Sequence, residues 1–298
     1  MQDYLLKILS FIKKHLVVFS GICALFIIVF LSAFILYFNR KSNLLTRLII
    51  PTYLGNDTRR YYGSTTPTGL SVFRKINLGK GKTKIGNKYE HWSGGGWTGQ
   101  PTIVGDRGKV YLIIGAYDHL LHKIDLDSYE EVWRYRFNDV IKGTATLFID
   151  NRADESNRIV ILQGSRKGTL QEGPTKSAYS FKAISFRTGE LLFELDIEKT
   201  ESMSRDNDSS PLYLGERRIF NAAENGIGYF LTYAKSGENN GRAHYSMHIL
   251  SKLLLYNESD IKKHGRDLIV EASPARIASK IYQSCGSGHV YGIDTDTM

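Results

Sequence analysis

Lys109-Val-Tyr-Leu-Ile-Ile-Gly-Ala-Tyr-Asp-His-Leu-Leu-His-Lys-Ile-Asp125 reads as an apolar strand, a polar turn and a second strand of the same character. Three later stretches repeat the pattern: Arg158–Gly168 continued by Tyr179–Ile184, then Arg218–Leu231, then Lys280–Asp294. Recurrence of this kind marks stacked units that cannot bury their apolar faces alone. Short strands divided by turn residues, with no helical period, place the chain in the all-β class. The unit that fits is a four-stranded blade, so the expected fold is a β-propeller over residues 68–298 with about four recognisable blades.

Working outward, each repeat is preceded by small residues or proline that turn apolar: Gln100–Val104, Ala145–Ile149, Ser210–Leu214 and Ser273–Ile277. These are the expected innermost strands. Successive openings lie roughly 45–65 residues apart, against about 40–50 for a common propeller repeat. The longer units call for insertions, and Gly168–Ser177 and Ser236–His244 are the polar candidates. Asp125–Trp133 and Arg187–Phe193 supply outer strands. The fourth unit stops at Asp294–Met298, and Thr68–Ile76 fits the missing outer template, as a strand donated from the other terminus would. The small number of units equally leads us to expect the front part of a longer ring. Gly79–Gly99, rich in Gly and Lys, reads as a long loop.

The turn chemistry of Gly164-Ser165 and Thr188-Gly189-Glu190, with Ile-Asp and aromatic positions around them, resembles the quinoprotein-like (PQQ-like repeat) propeller family, which shares its plan with WD40-like rings. That resemblance implies the fold across residues 68–298. Family members include quinone- and calcium-dependent dehydrogenases, which hold the quinone with an adjacent cysteine pair, as well as non-enzymatic scaffolds. Here Cys285 stands alone and Cys23 lies far upstream, so no catalytic residue carries over. The expectation is the non-enzymatic branch, without a cofactor. The alternative is a quinone-dependent dehydrogenase whose catalytic residues lie outside this chain, which titration with the quinone and calcium would reveal.

Residues Leu16–Phe38 run 23 positions without a charge. As a helix they would span about 34 Å, enough for a hydrocarbon core of about 30 Å. We therefore expect a cytoplasmic tail over 1–15, a transmembrane signal anchor over 16–38 in contact with membrane lipid, a stalk over 39–67, and the propeller on the extracytoplasmic side. The net charge of +9 does not point to nucleic acid. Residues 1–47 hold six Lys or Arg and one Asp, which leaves +4 for the remainder, and juxtamembrane cations suit anionic lipid head groups.

Few residues suggest chemistry. Trp92 and Trp97 flank Gly94-Gly95-Gly96, where mobile backbone would let two indoles close on a protein or carbohydrate partner. The competing reading makes them a plug over a blade edge. Asp150 and Asp154, in the loop Asp150–Glu155, present oxygens that would suit calcium. Against this, Arg152 occupies a ligand position and no glycine makes the sharp turn, so a solvated hairpin competes. His244 and His248 sit four apart, a helical metal spacing, but their segment alternates like a strand and would hold them about 13 Å apart, so with His119, His122, His264 and His289 they read as structural or surface residues.

Overall fold

The computed structural model describes residues 28, 30–32, 45–60, 63, 68–168, 178–239 and 242–297. The expected membrane span, apart from Ile28 and Phe30–Ser32, lies outside them, as do residues 169–177 of one expected insertion. Among the described residues no helix is long and apolar enough to cross a membrane.

Two compact units are distinguished. The first takes in the residues up to Thr46 with Asp106–Gly108, and in it Thr46 Oγ1 donates to Asp106 Oδ1 at 2.7 Å. The second, residues 47–105 and 109–298, carries the repeats.

The repeats are successive antiparallel sheets. Strands β1 (Arg47–Ile50), β4 (Thr102–Asp106), β5 (Lys109–Gly115), β6 (Leu120–Asp125) and β7 (Glu131–Arg136) pair in that order. The second sheet runs β8 (Thr146–Ile149), β9 (Ile159–Gly164), β10 (Phe181–Ser185) and β11 (Leu191–Leu195). The third runs β12 (Leu212–Gly215), β13 (Arg218–Ala223), β14 (Ile227–Asn239) and β15 (Arg242–Leu254). The fourth holds β16 (Ala275–Ile277), β17 (Lys280–Ser284) and β18 (Val290–Asp294). All four expected inner strands are the first strands of their repeats. Four meanders in chain order follow the blade plan of a β-propeller, with β1 added beyond β4 in the first and three strands in the fourth.

Neighbouring sheets pack face to face. Ile113, Leu121 and Phe137 of the first meet Leu147, Ile161 and Phe186 of the second. Phe148 and Leu162 of the second meet Ile219, Tyr229 and Leu231 of the third. Leu212 and Phe230 of the third meet Ile281 and Ile293 of the fourth. Each fully buried large side chain contributes about 1.5–3 kcal/mol. The tight turn before β11 shows why its residues are there. Gly189 takes φ +72°, its N–H meets Ser185 O at 2.8 Å, and a Cβ on it would strike Trp133 at 2.9 Å.

Several expectations change. Gly79–Gly99 is mostly a hairpin, β2 (Lys80–Ile85) against β3 (Lys88–Ser93), because Asn87 with Gly86 at φ +57° turns the chain between two alternating runs. Ser71–Leu78 pairs with no strand among the described residues, and Leu70, Val72 and Phe73 stand in solvent. Of the expected insertion Ser236–His244, the described residues 236–239 and 242–244 lengthen the β14–β15 ladder. A short helix α1 (Glu258–His264) joins the third and fourth sheets, its N-terminus capped by Asn257, whose side chain accepts the N–H groups of Ser259 and Asp260.

The region expected as a stalk joins the repeats. β1 pairs with β4, and Pro51–Arg60 then crosses the inner strands. Pro51 O accepts Leu147 N at 2.7 Å, Thr52 Oγ1 meets Thr146 Oγ1 at 2.7 Å, and Asp57 O accepts Arg276 N at 2.8 Å. Arg59 donates to Ser210 O at 3.1 Å and Pro274 O at 2.7 Å. One segment thus ties the inner strands of the second, third and fourth repeats.

Candidate functional site

At the start of each inner strand the repeat places one residue four positions upstream: Thr98 before Thr102, Lys142 before Thr146, Asp208 before Leu212, Glu271 before Ala275. Thr98 Oγ1 donates to Lys142 O at 2.9 Å. The Lys142 ammonium is ion-paired with Asp208 and lies 3.5 Å from Glu224 and 3.9 Å from Glu271. Buried carboxamides pin the residues next to these. Gln163 Nε2 donates to Gly143 O at 3.2 Å, and Gln283 Nε2 donates to Ala272 O at 2.8 Å. Asn221 Nδ2 donates to Asn207 Oδ1 at 2.7 Å.

Asp208, Glu224 and Glu271 bring carboxylate oxygens within 4.8 Å of one another, a spacing that would suit a metal. The cation they hold is the Lys142 ammonium. The Lys142 and Asp208 side chains are 7% and 2% exposed, so the pair is desolvated. Burial pushes the Asp208 and Glu224 carboxyls up, with Asp206 adding like-charge repulsion to both. Burial opposes the charge on Lys142, yet the attraction of Asp208 and Glu224 outweighs it and holds the ammonium above its ordinary value.

Above this cluster sits an aromatic platform. The ring centroids of Trp92 and Trp97 are 5.5 Å apart, those of Trp92 and Tyr117 5.3 Å, and those of Trp97 and Tyr117 6.3 Å. The Lys142 ammonium lies 5.3 Å from the Trp97 ring, within the range of a cation–π attraction. Trp97 is nevertheless 63% exposed. The two expected binding tryptophans are therefore brought together, with a tyrosine that sequence reasoning did not single out.

The glycines between them serve close approach, not mobility. Tyr117 N donates to Gly94 O at 2.9 Å, and Gly95 bridges Ala116. A Cβ on Gly96 would lie 2.2 Å from Lys142 O, closer than any real contact. Gly96→Ala is expected to lift the loop, lowering stability by about 2 kcal/mol or more. Loss of the intrinsic fluorescence signature of the edge-to-face indoles would accompany it. A variant with parental fluorescence and urea midpoint would show that the approach is not needed.

The other expected ligands are placed elsewhere and are not brought together by any shared partner. Asp150 Oδ2 accepts Arg217 Nε at 2.8 Å and the Tyr233 hydroxyl at 2.9 Å, while Oδ1 accepts Arg152 N at 2.9 Å. Asp154 accepts Ser156 Oγ at 2.6 Å and Asn157 N at 3.0 Å. Both carboxylates thus have protein donors, and Asp150 has a guanidinium as its counter-charge. Three of the histidines also face carboxylates. His122 Nδ1 meets Glu131 at 2.5 Å and its Nε2 meets Asp118 at 3.1 Å, His289 Nε2 meets Asp260 at 2.9 Å, and His119 Nε2 lies 3.8 Å from Asp139. No nucleophile joins them in those contacts.

No model of a known protein family matches the chain, and no curated protein matches it. Among solved structures it is similar to BamB from Moraxella catarrhalis, with 12% identity over 63% of this chain and 44% of that one, at a TM-score of 0.39. It is also similar to the computationally designed Ika4 protein, with 13% identity over 62% of this chain and 84% of that one, at a TM-score of 0.37. The designed Ika8 protein gives 12% identity over 62% and 42%, again at 0.37. The chain spans less than half the length of the BamB and Ika8 chains it matches.

Proposed function

We propose that this protein is a membrane-anchored, extracytoplasmic binding or scaffold module of the quinoprotein-like propeller type, and that it docks a protein partner on the Trp92–Trp97–Tyr117 platform. One observation carries the reading: a large indole left 63% exposed although its loop is fixed by hydrogen bonds to the sheets. Holding such a ring in water is unfavourable, and pre-organised aromatics are the usual anchors of protein interfaces. Glu90, which accepts Trp92 Nε1 at 3.0 Å, and Glu271, half exposed beside Lys142, supply a polar rim. The rim favours a partner that inserts an apolar or cationic side chain.

The test is peptide selection against the folded protein, followed by affinity measurement on the selected peptides. Trp97→Ala is expected to weaken binding about 30-fold, the effect of losing an anchor worth about 2 kcal/mol, with the melting temperature unchanged. Binding unaltered by Trp97→Ala would remove the platform from the interface. Equal losses of stability and binding would make Trp97 a plug. An oligosaccharide that binds and is lost with Trp97, where no peptide binds, would assign the platform to carbohydrate.

A further inference from the structure

A cavity of about 600 Å³ opens beside the Lys142 charge cluster, and six cationic side chains line it: Lys84, Arg166, Lys167, Lys199, Arg205 and Arg266. Two carboxylates, Asp139 and Asp206, face the same space, which leaves four positive charges in excess. Asp206 is already committed. Its Oδ2 accepts Arg166 Nε at 2.7 Å, and its Oδ1 accepts Lys167 N at 2.9 Å. Arg166 is fixed further by donating to Thr83 Oγ1 at 2.7 Å and Lys84 O at 3.0 Å. The ammonium groups of Lys167 and Lys199 form no ion pair among the described residues, although both line one concavity.

Like charges gathered in a cleft repel one another, and the repulsion is relieved when an anion enters. The lining is polar, with Ser202 and Ser204 beside the cations, so it suits a hydrated, multiply charged guest more than an apolar one. Fixed guanidinium and flexible ammonium groups together are the usual partners of phosphoryl oxygens. We propose that this cavity is a binding site for a soluble oligophosphate-type anion, separate from the aromatic platform.

Calorimetric titration of the full chain with sodium tripolyphosphate tests the proposal. The expected result is saturable binding with one anion per chain, weakening as sodium chloride is raised because exposed charges are screened within about 10 Å at moderate salt. Lys167→Gln with Lys199→Gln is expected to lower the affinity about tenfold or more, with the ligand-free melting temperature unchanged. Lys262→Gln with Lys263→Gln, an equal charge change off the lining, is expected to retain it. Absence of saturable heat, or equal weakening by the two pairs, overturns the site. A parallel titration with a soluble short-chain phosphatidic acid separates the sources. Tighter binding than tripolyphosphate, lost with Lys167 and Lys199, keeps the phosphoryl site and assigns it to a lipid headgroup.

Discussion

Replacing Lys142 with methionine is expected to lower unfolding stability by about 3–5 kcal/mol at neutral pH, the range found when one partner of a buried ion pair is removed. Methionine keeps the stem and discards the charge, so the loss measures the uncompensated carboxylates and not a cavity. Asp208 is the residue left stranded: its Oδ2 is paired with the Lys142 ammonium, and its Oδ1 has no hydrogen-bond partner among the described residues. The pH dependence has a definite sign. Asp208 and Glu224 hold protons in the folded state that the unfolded chain has already released above about its ordinary carboxylate values of 3.8 and 4.5. Such groups contribute stability in acid that is lost as pH rises through their raised folded values. Lys142 works at the other end, its contribution present below 10.5 and lost as pH climbs past its raised folded value. Without Lys142 the two acids are pushed up further. The deficit of the variant should therefore be smaller at about pH 5 than at about pH 8, because protonation removes the stranded charge. Urea unfolding at both values decides it. A deficit under about 1 kcal/mol at the higher pH, or one that does not change with pH, would show the cluster to be solvated. Adding Asp208→Leu to Lys142→Met should restore part of the loss, since neither charge then remains buried.

The same cluster shows what the sequence carried and what it hid. The inner strands were legible because small residues or Pro lead into an apolar run at each, and all four lie where that reading puts them. Three charged residues, Lys142, Asp208 and Glu271, were present in the same frame, four positions before their strands, but they become a site only where the repeats meet. Lys142 and Asp208 are far apart in the chain and look like ordinary loop charges. Reading the repeat column by column, rather than strand by strand, was the available signal. Trp92 and Trp97 were legible as a pair because a glycine run between two indoles is unusual. Their partner Tyr117 was not, since it lies in the turn between β5 and β6 and meets them through the Gly95–Ala116 bridge and its own N–H to Gly94 O. The basic cavity escaped because its cations come from β2, the end of β9, the segment after β11 and the end of α1, with no local run of charge. Thr68–Ile76 misled in the opposite direction: it matches the outer-strand template, yet it pairs with no strand among the described residues, and β18 stays at the edge of the fourth sheet.

Arg59→Met is expected to cost about 3 kcal/mol or more, because it orphans carbonyls on two repeats at once and each orphan costs about 1–3 kcal/mol. The guanidinium donates to Thr52 Oγ1 at 2.8 Å, Tyr53 O at 3.0 Å, Ser210 O at 3.1 Å and Pro274 O at 2.7 Å. Only a planar fork serves four acceptors in this way, so Arg59→Lys should recover little of the loss. Burial pulls the group down to about 10, which still leaves it charged at neutral pH. The backbone of Arg59 itself sits at φ +55°, a conformation costing about 1–3 kcal/mol that persists only where contacts enforce it. Without the fork that conformation keeps only the local bond from Arg59 N to Asn56 O at 3.0 Å, and residues 51–60 should detach from the inner strands. Hydrogen exchange gives the specific readout. The amides of Leu147 and Arg276, bonded to Pro51 O and Asp57 O, should lose protection ahead of the β10 amides of Phe181–Ser185, which are held by β9 and β11. Uniform loss across both sets would mean that Arg59 serves global stability alone. Unchanged protection at Leu147 and Arg276 would show that this segment does not tie the repeats together, and the reading of residues 51–60 as a cross-repeat strap would fall with it.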